Sequence, residues 1–109
     1  MVVIRWSLVT GSAGWSGRFL HTCVVFDDKM FVLGGLGSTV FNDVWSSSDG
    51  STWIEVTDTA GWSARRDHTS VVYDNKIFVL GGYDDSSYFD DVWFSLDGAT
   101  WIQVTGGAG

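Results

Sequence analysis

The sequence contains no proline, one cysteine (Cys23) and two histidines. A single cysteine cannot close an internal disulfide or supply a multi-cysteine zinc site, so stability has to come from packing. Basic residues are also few. Six Lys and Arg stand against 13 Asp and Glu, and the net charge of −7 leaves no electrostatic footprint for phosphate backbones or anionic lipid. Neither nucleic acid nor a membrane surface is expected as a partner. Long hydrophobic runs are missing as well. Only Val2, Val3 and Ile4 precede Arg5, too few for the apolar core of a signal peptide, and no later run reaches spanning length. The cellular compartment stays open. At 109 residues the chain has room for one domain only.

What the chain does have is aromatic and glycine-rich. Hydrophobic residues make up 45%, enough for a packed core, and 7 Trp and 7 Phe beside 14 Gly suit many short strands. An internal repeat then decides the architecture. Trp6, Val9, Thr10, Ala13, Gly14, Trp15, Arg18 and His21 recur as Trp53, Val56, Thr57, Ala60, Gly61, Trp62, Arg65 and His68, a shift of about 47 residues. After the Gly34-Gly35 and Gly81-Gly82 pairs the shift grows to about 48, and Phe41, Asp43, Val44, Trp45, Asp49 and Gly50 return as Phe89, Asp91, Val92, Trp93, Asp97 and Gly98. A third start, Trp101-Ile102-Gln103-Val104-Thr105, follows.

Each repeat reads as four short strands. In the second copy they are His68 to Tyr73, an Asp74-Asn75-Lys76 turn, Ile77 to Leu80 stopping at Gly81-Gly82, Asp91 to Leu96 after a polar loop, and Trp101 to Val104 after an Asp97-Gly98 turn. The near-continuous apolar character of the central pair fits a sheet covered on both faces. Four strands per unit, Gly-Gly after Val32-Leu33 and Val79-Leu80, Asp43-Val44-Trp45 with Trp53, and Asp91-Val92-Trp93 with Trp101 together resemble the kelch repeat of β-propellers. The WD-type propeller fits less well, lacking its Gly-His start and Trp-Asp end. The segments Ser47 to Trp53 and Ser95 to Trp101 also resemble the Asp-box hairpin of sialidase-type propellers, shortened by one residue, which is a structural element. The expected fold is all-β: two four-stranded antiparallel kelch-like blades, residues 21–57 and 68–105, with a spare outer strand at 6–10.

Propellers close with roughly four to eight blades, and a blade needs a neighbour on each face. Two blades per chain lead to the expectation that identical chains assemble head to tail, first as a trimer with six blades and second as a tetramer with eight. Trp6-Ser7-Leu8-Val9-Thr10 and Trp101 to Thr105 are copies of one strand and compete for one slot; the local Asp97-Gly98 turn favours the second. The same facts fit a segment of a longer propeller.

The resemblance implies that residues after the Gly pair and just before the first strand line a shallow central pocket. Carried over, these are Leu36, Tyr83, Phe19, Leu20, Arg66 and Asp67, and they are the candidate ligand-binding set, for a peptide or glycan. The copies differ at these positions within an otherwise matched frame. Positions shared by both copies read as structural: Arg18 and Arg65 paired to loop carbonyls or a carboxylate, His21 and His68 hydrogen-bonded, Trp15 and Trp62 wedged between blades, Cys23 a small buried residue. Asp84, Asp85, Asp90 and Asp91 cluster in sequence but match no Ca²⁺ loop. No phosphate-binding loop, nucleophile elbow or placed carboxylate pair is present. The expectation is a non-catalytic binding scaffold without metal or cofactor, and the alternative is sialidase-like glycan recognition or processing.

Overall fold

The computed structural model describes residues 5–109; Val2, Val3 and Ile4 of the short apolar start lie outside the described residues. Eight strands follow one another: β1 Thr22–Phe26, β2 Lys29–Leu36, β3 Val40–Ser47, β4 Ile54–Thr57, β5 Thr69–Tyr73, β6 Lys76–Tyr83, β7 Tyr88–Ser95 and β8 Trp101–Thr105. They form two antiparallel meanders, β1-β2-β3-β4 and β5-β6-β7-β8. The two antiparallel sheets and the count of four strands in each agree with the pattern in the sequence.

The local chemistry explains each turn. Asp27-Asp28 and Asp74-Asn75 all have positive φ, between 52° and 60°, the conformation a two-residue type I′ hairpin requires and one that Asp and Asn tolerate. Lys76, expected in the turn, already pairs with Tyr73 and begins β6. At the other hairpin Asp49 Oδ1 accepts the Ser51 and Thr52 amides at 2.9 Å each, Ser47 Oγ accepts the Gly50 amide at 2.7 Å, and Trp53 Nε1 donates to Gly50 O at 2.8 Å. Asp97, Ser95 and Trp101 repeat the set in the second blade.

The Gly pairs do not end their strands. The register shifts between Leu33 and Gly35 and between Leu80 and Gly82, so one glycine is bulged out and the strand runs on to Leu36 or Tyr83. β7 correspondingly starts at Tyr88, not Asp91, and the connecting loops shrink to 37–39 and 84–87. A bulge keeps the ladder going while re-aiming the strand, which a composition of two glycines does not distinguish from a stop.

The core lies between the two sheets. Leu33, Val44, Trp62, Ile77 and Val79 are fully buried, with Val24, Phe26, Phe31, Ala60 and Trp101 completing one cluster that draws on both blades. β8 pairs with β7, and Ala108 N donates to Asp90 O at 2.8 Å, as Ala60 N does to Asn42 O in the first blade. The outer slot of blade two is thus taken by the chain's own C-terminal copy. Trp6 to Thr10 carry no strand pairing, and Trp6 is 99% exposed.

This contrast is measurable. Trp101→Ala should lower unfolding free energy by about 3–5 kcal/mol, because it removes a buried indole and its bond to Gly98, whereas Trp6→Ala should stay within roughly 0.5 kcal/mol. Urea denaturation of the two variants checks it; equal losses would mean that the N-terminal copy holds the strand slot.

Candidate functional site at the blade junction

The six candidate residues come together as two bridged pairs and a third pair that links them. Phe19 and Leu36 exchange backbone hydrogen bonds in both directions at 2.9 Å, forming an isolated antiparallel bridge. Arg66 and Tyr83 do the same at 2.9 Å. Asp67 N then donates to Leu20 O at 3.1 Å and ties the second pair to the first across the blade boundary. Leu20 and Asp67 both sit in the left-handed region, at φ 58° and 59°. That conformation costs a residue such as Leu20 about 1–2 kcal/mol, and the surrounding backbone bonds hold it there.

Side chains differ sharply between the two pairs. In blade one Phe19 is exposed, and Leu36 pairs across the strand end with Val40, giving an apolar patch. In blade two the Arg66 guanidinium lies 5.0 Å from the Tyr83 ring centroid and binds Asp85 through Nε and Nη2 at 2.9 and 2.7 Å, with Asp67 at 3.0 Å. Tyr83 and Tyr88 stack with centroids 4.5 Å apart. Arg66, Asp67, Gly82, Tyr83, Tyr88 and Phe89 line an open groove of about 470 Å³. Tyr88 escaped the sequence reading, although the same signal marks it: Val40 stands at the matching place in the first copy.

The hydrogen bond to Asp85, outweighing desolvation, raises the Arg66 guanidinium above its ordinary value. Asp84 accepts the Ser87 and Ser86 amides at 2.7 and 3.0 Å, and these bonds hold its carboxyl below the usual range. The aspartate cluster is therefore dispersed into separate tasks: Asp84 caps its loop, Asp85 faces Arg66, and Asp91 faces Arg65. Among the described residues no group of three His, Cys, Asp or Glu side chains could hold a metal.

The two shared arginines are paired as expected, whereas His21, expected to be hydrogen-bonded, has no partner for its buried Nδ1 among the described residues, and Trp15 lies on the open face of blade one rather than between blades. Arg65 is fully buried and binds Asp91 through both carboxylate oxygens, at 2.6 and 3.0 Å, and the carbonyls of Ser63 and Gly81, each at 2.9 Å. Its guanidinium also lies 4.1 Å from the Phe89 ring centroid. Arg18 repeats this with Asp43, Ser16, Gly34 and Phe41. Burial would raise the Asp43 and Asp91 carboxyls, but the Arg and Trp hydrogen bonds prevail and both are lowered. Neither arginine is free to meet a substrate anion.

His68 Nε2 lies 3.1 Å from Leu33 O and 2.9 Å from Thr22 Oγ1, and Thr22 Oγ1 is 2.6 Å from Ser70 Oγ. A carbonyl can only accept, so Nε2 carries a proton. Trp62 is wedged between Trp101, at 5.8 Å, and His68, at 6.0 Å. Cys23 is a correction: it is exposed rather than buried, because β1 presents it on the side away from blade two. The thiol is nonetheless raised by desolvation among its apolar neighbours, so it is not a ready nucleophile.

Two successive four-stranded meanders, with the chain leaving the outer strand of one sheet to start the inner strand of the next, are β-propeller blades. A family model described as the KLHDC2/KLHL20/DRC7 Kelch-repeats domain matches residues 4–108. The chain belongs to the kelch-repeat family. Comparison with curated proteins finds no match.

Burial lowers the His68 imidazole from 6.5 to about 4, more than the bond to Leu33 raises it. The unfolded chain takes up a proton below 6.5 that the folded chain refuses until about 4, so stability falls as pH drops through that window. Urea titrations should show a loss of about 2 kcal/mol between pH 7 and pH 5, above the range where carboxylates protonate. His68→Gln should remove most of this slope; an unchanged slope would assign it elsewhere.

Proposed function

We propose that this kelch-repeat chain is a non-catalytic binding scaffold that completes a propeller by associating with further copies of itself, three chains giving six blades, and binds a peptide at the blade junction. The observation that carries the binding role is the groove between the Arg66–Tyr83 bridge and Tyr88. Its side chains are held by strand backbone, so little ordering is needed on binding. Arg66, Tyr83 and Tyr88 are residue types that dominate binding energies where they are rigidly placed.

Charge narrows the ligand. Asp67, Asp84 and Asp85 outnumber Arg66, and Arg66 is already matched by two of them. A peptide with a lysine or arginine beside an aromatic or aliphatic residue satisfies both the stacked tyrosines and the surplus carboxylates. An acidic ligand would have to displace a carboxylate from Arg66. Kelch-repeat domains generally act as scaffolds, and the use of Arg18 and Arg65 in blade structure agrees with a binding role.

Self-association rests on the uncovered outer faces of both blades, which expose Val71, Tyr73, Ile102 and Val104 on one side and Val25 and Met30 on the other. Light scattering over a concentration series should return the mass of three chains. Four chains would support eight blades; a cooperatively folding monomer would overturn association.

For the groove, fluorescence anisotropy with basic and acidic peptides should favour the basic ones, and Tyr83→Ala should weaken binding at least about tenfold. Preference for acidic peptides overturns this ligand class. Selective binding to a glycan array, lost on Tyr83→Ala, would move the reading to carbohydrate recognition, for which the stacked tyrosine pair is the favouring feature.

A further inference from the structure

The boundary between blades one and two shows how one kelch blade of this chain seats on another. Trp62, Arg65 and His68, entering blade two, press into blade one: Arg65 O accepts from Gly35 N at 2.9 Å, Arg65 N donates to Phe41 O at 3.1 Å, and His68 Nε2 donates to Leu33 O. Gly34 is cut to receive them. A Cβ there would meet His68 Cε1 at 2.9 Å and Arg65 O at 3.1 Å. Thr22 of blade one and Ser70 of blade two meet at 2.6 Å.

Both halves of this joint recur on the outer faces. Blade two repeats the receiving half at Leu80, Gly81 and Thr69. Gly81 has φ +62°, matching +60° at Gly34, yet nothing from a following blade stands near it. Exposure follows the same division. Val24 and Phe26, which face blade two, are each 9% exposed, whereas their counterparts Val71 and Tyr73 are 47% and 70% exposed. Blade one repeats the inserting half at Trp15, Arg18 and His21, beside an apolar groove of about 390 Å³ that also includes Cys23, Val25 and Trp53.

We infer that the open face of blade two receives Trp15, Arg18 and His21 of a second copy in the register of the internal joint, with Cys23 of that copy set against Thr69. This rests on the self-association proposed above and specifies its geometry. The occupant is a second copy because this chain carries both halves of the joint, matched residue for residue with an interface already formed within it. The contact is heterologous, so each chain gives one face and takes one, and a rotation per chain of one third of a circle closes the series into the three-chain ring.

The strand slot makes the register stricter. Ala108 N already holds Asp90 O, as Ala60 N holds Asn42 O in blade one, so the outer slot of blade two is filled and the incoming copy inserts from its Trp15. Its residues 6–14 duplicate 101–109 and stay outside the joint, in keeping with the exposure of Trp6, Leu8 and Val9.

The internal Thr22–Ser70 contact indicates that Thr69 and Cys23 of the next chain touch closely enough to be bridged once both carry sulfur. The full-length Thr69→Cys variant is oxidised with oxidised glutathione, which accepts the two electrons and protons, and analysed on non-reducing gels beside light scattering. A ladder of linked chains ending at the ring mass, lost in Thr69→Cys/Cys23→Ser, is the expected result. Thr22→Cys/Ser70→Cys/Cys23→Ser should close within one chain and reports that oxidation and folding are intact. Assembly to the ring mass without the Cys23 bond overturns this register while leaving self-association standing. Linkage that stops at two chains overturns it in favour of a two-fold contact, and a monomer by mass overturns self-association itself.

Discussion

The Arg65 side chain and the Arg65 backbone belong to different blades. Its guanidinium is consumed inside blade two, by Asp91, Ser63 O, Gly81 O and the Phe89 ring, while its own amide and carbonyl bond to Phe41 and Gly35 of blade one. One residue thereby fixes the bulge of β6, the start of β7 and the seating of one sheet on the other. Removing one partner of so buried a pair costs about 3–5 kcal/mol, because the carboxylate left behind has lost its water and its cation together. The bidentate fork also explains arginine rather than lysine: an ammonium cannot hold both Asp91 oxygens and two carbonyls in one plane. The bulge, the joint and the approach of the groove-forming strand ends all follow from this contact.

In a repeat architecture stability is close to a sum of unit and nearest-neighbour terms. Here the neighbour term is visible once. It buries Leu33, Val44 and Trp62 completely and leaves the matching Leu80, Val92 and Trp15 partly open. The two blades are nearly equal in sequence and unequal in protection. Residues of blade two that lack a following blade, Val71 and Tyr73 among them, have the least to hold them and belong to the low-stability end of the fold.

Much of this was legible in the sequence because the repeat doubles every signal. Arg18 and Arg65 announced a per-blade role by recurring, and both make the carbonyl and carboxylate contacts expected of them. What was not legible depended on geometry that a pattern does not carry. Gly34 and Gly81 read as strand ends and are bulges, since composition marks a change in backbone direction without saying whether the ladder resumes. Cys23, matched by Ser70, read as buried because a free cysteine is usually a small core residue. The alternation along β1 puts it on the face that blade two does not reach, so the two matched positions have opposite environments. Asp91 read as one of four loop carboxylates, and only the fold shows its guanidinium partner 26 residues earlier in the chain.

The candidate site follows from the same division of labour. Most positions that both copies share in this region are already committed: each Arg to its aspartate, His68 to a carbonyl of the preceding blade, and each Gly pair to its bulge, while His21, at the open face of blade one, has no partner for its buried Nδ1 among the described residues. The positions between them, Phe19, Leu20 and Leu36 in one blade and Arg66, Asp67 and Tyr83 in the other, are held by backbone bonds that make no demand on side-chain identity. Such positions can vary without disturbing the joint. They do vary, from an apolar pair with Val40 to a charged and aromatic set with Tyr88. A scaffold that fixes the backbone and leaves the side chain unconstrained is the arrangement that lets each blade present a different surface at the same place. The unlikeness of the two copies at these positions is therefore the trait that distinguishes them from the packing residues around them.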